Sequence, residues 1–210
     1  MLRLHGRAQE AIQDFDRALA AQPDHVEALV SRGAALAELM RLDEAMADYA
    51  AALRLAPGHA KAQFNRGLIR LLTGDFEAGW PDYERRLDLA PPPGGLAQPP
   101  WDGRTPLAGK RLFLRWEQGL GDTIQFCRYA VVAADRGARV VLSVQDPLVG
   151  LLRGLDPRVT VIGAAAPPPA FDLHAWPMSL PAVFETTAET VPFKAAYLAA
   201  DTALTEDLAK

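Results

Sequence analysis

Two consecutive stretches of the chain share one length and one pattern: PDHVEALVSRGAALAELMRLDEAMADYAAALRLA at residues 23–56 and PGHAKAQFNRGLIRLLTGDFEAGWPDYERRLDLA at residues 57–90. Each begins with proline, so Pro23 and Pro57 mark a period of about 34 residues, which is typical of a helix–turn–helix unit that stacks on its copies. The first part of the chain is therefore predicted to be a helical solenoid.

Several other positions carry the same spacing, and each has a packing reason. Small residues let two helices approach closely, an aromatic ring fills the space between them, and proline ends the second helix of each unit. The shared registers are Ala11, Ala45 and Gly79; Phe15, Tyr49 and Tyr83; Leu19, Leu53 and Leu87; Gly33 and Gly67; His25 and His59. The two histidines are interpreted as structural because they share one repeat position.

This pattern resembles the tetratricopeptide repeat over roughly the first 90 residues. The first copy is incomplete, because residues 2–4 correspond to the end of a first helix whose earlier turns are absent from the sequence. A helix pair buries its apolar face only against neighbours, so further repeats are expected before Met1. The resemblance implies a protein or peptide partner on the concave face of the solenoid.

Proline and glycine mark the end of the repeats. Residues 90–95 read APPPGG and residues 98–103 read QPPWDG, and neither stretch can continue a helix. The domains predicted from this change of composition are repeats at 1–90, a linker at 91–103, an α/β domain at 104–200 and a second linker at 201–210.

Beyond the first linker, the hydrophobic pattern alternates between strands and helices. The predicted strands are 111–116, 139–144, 158–162 and 171–174. A helix is predicted over about 122–136 and a short one over 147–155. Alternation of this kind indicates a parallel sheet with helices on its faces. The predicted fold class is α plus α/β, a helical solenoid followed by a Rossmann-like parallel domain.

Composition and charge exclude several classes of function. The 210 residues have a formal net charge of −4, without the positive excess that binding to a phosphate backbone requires, so no nucleic-acid partner is expected. No apolar run approaches the roughly 18 residues of a membrane span. Cys127 is the single cysteine and is interpreted as a core residue, and the first residues lack the apolar stretch of a signal peptide. A cytoplasmic location and no metal site are expected.

The segment WEQGLGDT at residues 116–123 lies between the first predicted strand and the helix after it. In an open α/β sheet, ligands bind at the carboxyl ends of the strands, and the first N–H groups of a helix attract anions. A dinucleotide-binding turn would need a third glycine at Ile124, and a P-loop would need Gly-Lys-Ser or Gly-Lys-Thr. Neither a dehydrogenase nor an ATPase is supported.

The residues alone leave the role of three side chains open. Asp122 is either the N-cap of the following helix or a carboxylate that takes part in catalysis. Glu117 is either a solvated charge or a group that binds an acceptor. His174 is either a structural histidine or part of the site.

Several sequence blocks resemble bacterial tetratricopeptide proteins whose C-terminal region is a glycosyltransferase. The blocks are WDG at 101–103, GKRLFL at 109–114, EQGLGDTIQFCRY at 117–129, GARVVLSVQ at 137–145, FDLH at 171–174, SLP at 179–181 and YL at 197–198. This family is similar to the heptosyltransferase and O-GlcNAc transferase groups. The resemblance implies a catalytic unit of the GT-B type, in which one Rossmann-like half holds the acceptor and a second half holds the nucleotide-sugar donor.

The same resemblance implies that Asp122 is the catalytic base, which removes the proton of the acceptor hydroxyl as the new C–O bond forms. The candidate acceptor- or anion-binding residues are Glu117, Gln118, Gly119, Gly121, Thr123 and His174. The donor is a substrate, so no cofactor is implied. The second half is expected after Tyr197, which makes 201–210 a connection to a further domain and this chain inactive alone.

Two other functions stay open at this point. One is a protein-binding scaffold without catalytic activity, in which the repeats capture a peptide. The other is a regulatory nucleotide-binding protein that uses the turn at 119–122 as an anion site.

Overall fold

A computed structural model describes residues 2–91, 96, 98–192 and 196–199. The chain divides into two compact units, a helical unit at Met1–Pro91 and an α/β unit at Pro92–Lys210. The predicted order, helical repeats followed by a parallel sheet with helices, is confirmed. The predicted second linker at 201–210 lies outside the described residues. None of the described helices is long and apolar enough to cross a bilayer.

The described residues of the helical unit form one long helix, two helix pairs and a short helix. These helices are α1 (Leu2–Ala21), α2 (Val26–Glu38), α3 (Leu42–Leu55), α4 (Ala60–Leu72), α5 (Phe76–Tyr83) and α6 (Arg86–Leu89). Helices α2 and α3 pack as one pair and α4 and α5 as the next, so each copy of the repeat supplies a pair.

Close approaches at small residues hold each pair together. Tyr49 of α3 is 1% exposed and lies against Gly33 of α2, where a Cβ atom would come within 2.6 Å of the tyrosine ring. At Gly67 of α4, a Cβ atom would lie 2.8 Å from both the Cβ of Asp82 and the backbone nitrogen of Tyr83. The packing role predicted for these registers is confirmed.

The turns and caps of the two pairs also repeat. Met40 and Gly74 have φ angles of 59° and 89° and follow the first helix of each pair. Nδ1 of His25 accepts a hydrogen bond from the N–H of Ala28 at 3.3 Å, and His59 caps α4 in the same way. The structural interpretation of both histidines is confirmed.

Two details of the repeats differ from the prediction. Residues 2–4 do not end a separate helix but belong to α1, because helix propagation gains one hydrogen bond per residue and continues through Gly6, at the register of Met40. The second helix of the second pair is split into α5 and α6. Pro81 lies inside α5 and has no N–H to donate to the preceding turn.

The α/β unit is built on a parallel sheet. The strands are β1 (Arg111–Arg115), β2 (Arg139–Val144), β3 (Val159–Gly163) and β4 (Leu173–Ala175), in the order β3-β2-β1-β4. The three pairs of neighbouring strands are all parallel. Each of the four predicted strands overlaps one of the observed strands. Leu112 and Leu114 of β1 and Leu142 of β2 are fully buried, so the sheet supplies the core of this unit.

The helices of the α/β unit are shorter than predicted. They are α7 (Leu120–Phe126), α8 (Arg128–Asp135), α9 (Val149–Leu152) and α10 (Leu180–Val183). The single helix expected at 122–136 begins two residues earlier and is divided at Cys127. The helix expected at 147–155 is a 3-10 turn at Asp146–Leu148 followed by α9.

Part of the predicted first linker belongs to the sheet edge. Pro100 forms a parallel bridge with His174, and the N–H of Trp101 donates to the carbonyl of His174 at 2.7 Å. Proline is compatible with an edge position because it needs no ladder donor there. The α/β unit therefore includes residues from the QPPWDG stretch.

His174 is buried within this part of the sheet. It is 7% exposed, and its ring lies edge-on to the rings of Phe171 and Trp176, with centroids 6.4 and 5.9 Å away. Among the described residues, buried Nδ1 has no hydrogen-bond partner. Burial lowers the pKa of His174 below its usual 6.5, and a hydrogen bond to the backbone of Gln98 opposes this shift only in part.

The tight contact at Gly67 predicts a large effect of one methyl group. We expect Gly67→Ala to lower the free energy of unfolding by about 1–3 kcal/mol, because the new Cβ meets backbone atoms that cannot move aside. Gly58→Ala is the matched control, since nothing lies within 4 Å of a Cβ there. Urea unfolding of the 210-residue chain measures both. Equal stability of the two variants would contradict the proposed packing.

The lowered pKa of His174 predicts an acid-dependent loss of stability. The unfolded chain binds a proton at this histidine below about pH 6.5 while the folded chain does not, so the free energy of unfolding falls as the pH drops from about 7 to about 5. His174→Phe keeps a ring in place and removes this contribution. We expect the stability difference between the two proteins to change over this pH range and to stay constant above about pH 7.5. A constant difference at all pH values rejects the buried neutral histidine.

Candidate functional site at the strand-order reversal

The order of the strands reverses beside β1. From β1 the chain passes to β2 and then to β3 on one side, whereas β4 lies on the other side of β1. In open parallel sheets, the loops that leave the two strands at such a reversal point diverge and form a crevice outside the carboxyl ends. The segment at 116–123 follows β1 directly and therefore lies at this crevice.

A hydrogen bond joins the loops that follow β1 and β4. The backbone N–H of Met178, three residues after β4, donates to Oε1 of Glu117 at 3.1 Å. Glu117 is only partly exposed, and its carboxylate fixes the separation of the two loops. The recess between them is lined by Trp116, Glu117, Gln118, Asp122, Thr123, Pro177 and Met178.

The recess itself has room for about one water molecule. Its volume is about 10 Å³, far below the several hundred cubic ångströms of a small-molecule pocket. A sugar-sized ligand would not fit inside the recess, whereas residues 118–121 beside it are exposed. No steric reason requires glycine at Gly121, because a Cβ there would have nothing within 4 Å among the described residues.

Asp122 caps α7, but not as its N-cap. The helix begins at Leu120, so Gly119 is the N-cap residue and Asp122 is the third residue of the helix. Oδ2 of Asp122 accepts the N–H of Gly119 at 3.0 Å, which is the reach-back half of a capping box. Of the two alternatives left open for Asp122, the N-cap one is wrong in position, because the N-cap residue lies three residues earlier. In the described part of the chain, Oδ1 of Asp122 has no hydrogen-bond partner.

Two hydrogen bonds connect the turn at 116–123 to Gln145, the residue that follows β2. Oγ1 of Thr123 donates to Oε1 of Gln145 at 2.8 Å, and Nε2 of Gln145 donates to the carbonyl of Gln118 at 2.8 Å. Thr123 is buried, so its side chain positions the turn rather than facing a ligand. Sequence reasoning missed Gln145. Its signal is a polar side chain directly after the second strand, at the same edge of the sheet.

The chemistry of the turn favours hydroxyl donors over anions. The carboxylate of Asp122 already occupies the N–H of Gly119, which was expected to receive an anion. The two carboxylates, Glu117 and Asp122, add negative charge to the same loop pair. Hydroxyl groups donate well to carboxylate oxygens, so a ligand rich in hydroxyls is the better match.

His174 is not brought to the turn. It pairs with Phe113 in the middle of β4, before the carboxyl end of the strand, and its ring lies among aromatic side chains. This buried position within a strand favours the structural alternative for His174, and a role in the site stays a prediction. Cys127 is also buried, and burial raises its pKa to about 12, which confirms its interpretation as a core residue.

Each repeat contains a charged pair that sequence reasoning missed. The guanidinium of Arg32 donates two hydrogen bonds to Asp48, at 2.8 and 2.7 Å, and Arg66 donates two to Asp82, at 2.7 and 2.9 Å. Arg32 also donates to Asp16 of α1 at 2.7 Å. The signal was present in the sequence, because the two arginines occupy one repeat position and their partner aspartates occupy another.

The first helices of the two pairs present one equivalent surface. We call it the first-helix surface, and it consists of Glu27, Ser31, Ala34 and Glu38 of α2 and Lys61, Asn65, Leu68 and Leu72 of α4, at matching repeat positions. Leu68 and Leu72 are 44% and 63% exposed. These two large apolar side chains lie one helical turn apart, so they form a small exposed apolar patch.

Comparison with known proteins gives one family, and the solved structures similar to the chain include the three described here. The family described as tetratricopeptide repeat matches residues 4–60 and 41–93. The first tetratricopeptide domain of Spaghetti (RPAP3), bound to the HSP90 peptide SRMEEVD, is 30% identical, with 41% of this chain and 68% of that chain covered and a TM-score of 0.38. No curated protein matches the chain.

The other two neighbours are less similar in sequence. The MamA RS-1 ArsTM double mutant is 26% identical, with 41% of this chain and 48% of that chain covered and a TM-score of 0.38. An O-GlcNAc transferase mutant from Thermobaculum terrenum is 21% identical, with 76% of this chain and 41% of that chain covered and a TM-score of 0.37. The chain thus spans less than half the length of either protein. The family match and the repeated geometry agree, so the chain belongs to the tetratricopeptide repeat family through residues 4–93.

Proposed function

We propose that the α/β unit is the acceptor-binding half of a glycosyltransferase of the GT-B type. The tetratricopeptide repeats would recruit the protein or glycan that carries the acceptor hydroxyl. The single observation that supports this most is the position of Glu117 and Asp122 at the strand-order reversal, where open parallel sheets bind their ligands. The resemblance of the EQGLGDT block to sugar transferases agrees with this position.

The geometry of Asp122 suits a general base. Oδ2 is held by the N–H of Gly119, which fixes the carboxylate without using Oδ1. An acceptor hydroxyl that donates to Oδ1 would transfer its proton there as its oxygen attacks the anomeric carbon of the donor. The bond from that carbon to the nucleoside diphosphate breaks in the same step, and the diphosphate leaves with the electron pair.

Glu117 has a positioning role in this proposal. Its bond to the N–H of Met178 holds the loop after β4 against the turn, and so shapes the surface on which an acceptor lies. The recess of about 10 Å³ does not hold a nucleotide sugar. The resemblance assigns the donor to a second Rossmann-like half.

Replacement of Asp122 tests the catalytic role. We expect Asp122→Asn to lower sugar transfer by about 10²–10⁴-fold, because the amide cannot take a proton but still accepts the N–H of Gly119. The measurement is transfer of labelled sugar from a panel of UDP-, ADP- and GDP-sugars. The enzyme is the product of the complete reading frame that encodes the chain. An extract of the cells that carry this gene supplies the acceptor.

Asp135→Asn is the matched control, since Asp135 is an exposed carboxylate at the end of α8 that pairs with Arg158. This variant should keep the rate of the unmodified protein. Circular dichroism checks that both variants are folded. Full activity of Asp122→Asn, or no transfer from any donor by the unmodified protein, would overturn the proposed function.

The first-helix surface favours a second function, binding of a peptide by the repeats. Leu68 and Leu72 offer apolar contact, whereas Glu27 and Glu38 outweigh Lys61 in charge. A segment with apolar and basic residues is the best complement to this surface. This function is compatible with the first and does not depend on it.

A displayed library of random peptides of about 12 residues tests the peptide site. We expect the chain to select apolar and basic sequences and Leu68→Asp to lose most of this selection, because a charge replaces the apolar contact. Leu55→Asp is the control, since Leu55 is 50% exposed at the end of α3 and lies outside the first-helix surface. Equal loss in both variants, or selection of acidic peptides, contradicts the proposal.

A further inference from the structure

Three arginines lie in a row at the amino edge of the sheet, opposite the carboxyl edge that the turn at 116–123 follows. Arg111 and Arg139 begin β1 and β2 and are paired in register. Val140 is paired with Val159, so Arg158, one residue earlier, lies beside Arg139 at the start of β3. Neighbouring strands are about 4.8 Å apart, which brings three positive charges close together.

Carboxylates neutralise the two outer arginines. Arg111 is paired with Asp172 at 2.8 Å, and this contact holds the pKa of Asp172 far below its usual range. Arg158 is paired with both Asp135 and Asp156, at 2.8 and 2.9 Å.

The central arginine is different. Within the described residues, the exposed side chain of Arg139 has no carboxylate partner. Like charges in adjacent strands repel one another. The unpaired charge of Arg139 therefore lies between two guanidiniums whose own charges are already balanced.

An open cavity adjoins this row. Its volume is about 640 Å³, which lies within the usual range for small-molecule sites. The three arginines line it together with apolar groups, among them Val141, Pro169 and Ala170. Val141 follows Arg139 by two residues and so faces the same side of the sheet. The cavity combines a cationic rim with an apolar wall.

We propose that this cavity binds an organic phosphate. The phosphate group would accept hydrogen bonds from Arg139 and from a flanking arginine, and the carbon body would pack on Val141, Pro169 and Ala170. Phosphate fits better than carboxylate because it brings up to two negative charges and three oxygens, which match several planar guanidiniums. A single carboxylate would have to compete with Asp172, Asp135 and Asp156 for the outer arginines.

This site is separate from the crevice of the proposed sugar transferase. It lies at the amino ends of the strands, whereas Glu117 and Asp122 follow a carboxyl end. A ligand there would occupy a second position on the α/β unit, suited to an effector or an additional substrate group. The proposal holds whether or not the unit takes part in sugar transfer.

Titration of the full 210-residue chain tests the site, with phenyl phosphate, inorganic phosphate and benzoate as the three probes. We expect saturable binding of phenyl phosphate at one site. Nuclear magnetic resonance of the arginine side chains measures this binding. Phenyl phosphate should bind several-fold more tightly than inorganic phosphate, because its ring removes apolar surface from water. Benzoate should bind more weakly than phenyl phosphate.

Two variants and one control complete the experiment. Arg139→Ala should weaken the binding of phenyl phosphate at least about 10-fold. Ala170→Glu places a negative charge at an exposed position of the apolar wall and should weaken this binding as well. Arg153→Ala should leave binding unchanged, because Arg153 is an exposed arginine of the same unit outside the cavity. Equal effects of Arg139→Ala and Arg153→Ala, benzoate binding as tight as that of phenyl phosphate, or no saturable binding up to about 10 mM, would overturn the proposal.

Discussion

The four strands described in the α/β unit all run in the same direction, and this constraint sorts the chemistry of the unit into two edges. Residues that precede strands collect at one edge and residues that follow strands collect at the other. Arg111 and Arg139 therefore become neighbours although a turn and two helices separate them along the chain. Glu117 and Met178 meet at the opposite edge across 61 residues. If β1 and β2 were antiparallel, Arg139 would lie at the same edge as Glu117 and Asp122.

The sequence was sufficient to predict the elements that depend on local pattern. The repeat spacing predicted the helix pairs because small and aromatic residues at fixed positions leave few ways to pack, as the contact of Gly33 with Tyr49 shows. Runs of buried apolar residues located all four strands to within a few residues. The first and last residues of the helices were less predictable. The start of α7 depends on the N–H of Gly119 donating to the carboxylate of Asp122, and from the sequence alone an aspartate fits an N-cap position equally well.

The candidate site was predictable only where it is contiguous. The turn at 116–123 stands out because glycines and carboxylates follow a buried strand, whereas Gln145 belongs to it only through the parallel pairing of β1 and β2. The position of β4 beside β1 cannot be predicted from local pattern either, because it depends on pairing between strands that are far apart in the sequence. The choice between the two alternatives for His174 also lay beyond local pattern. Its surroundings, Phe171 and Trp176, decide whether a histidine in a strand is a ligand or a core residue.

The bidentate pair inside each repeat has a consequence for how such a chain changes by gene duplication. Arg32 and Asp48 belong to one repeat block, and Arg66 and Asp82 to the next. Asp48 is 5% exposed, and a buried carboxylate left without its arginine would cost about 3–5 kcal/mol. Because each block carries both partners, adding or deleting a whole block never separates them. This pair thus places no limit on copy number in steps of one block, while recombination inside a block would separate its partners.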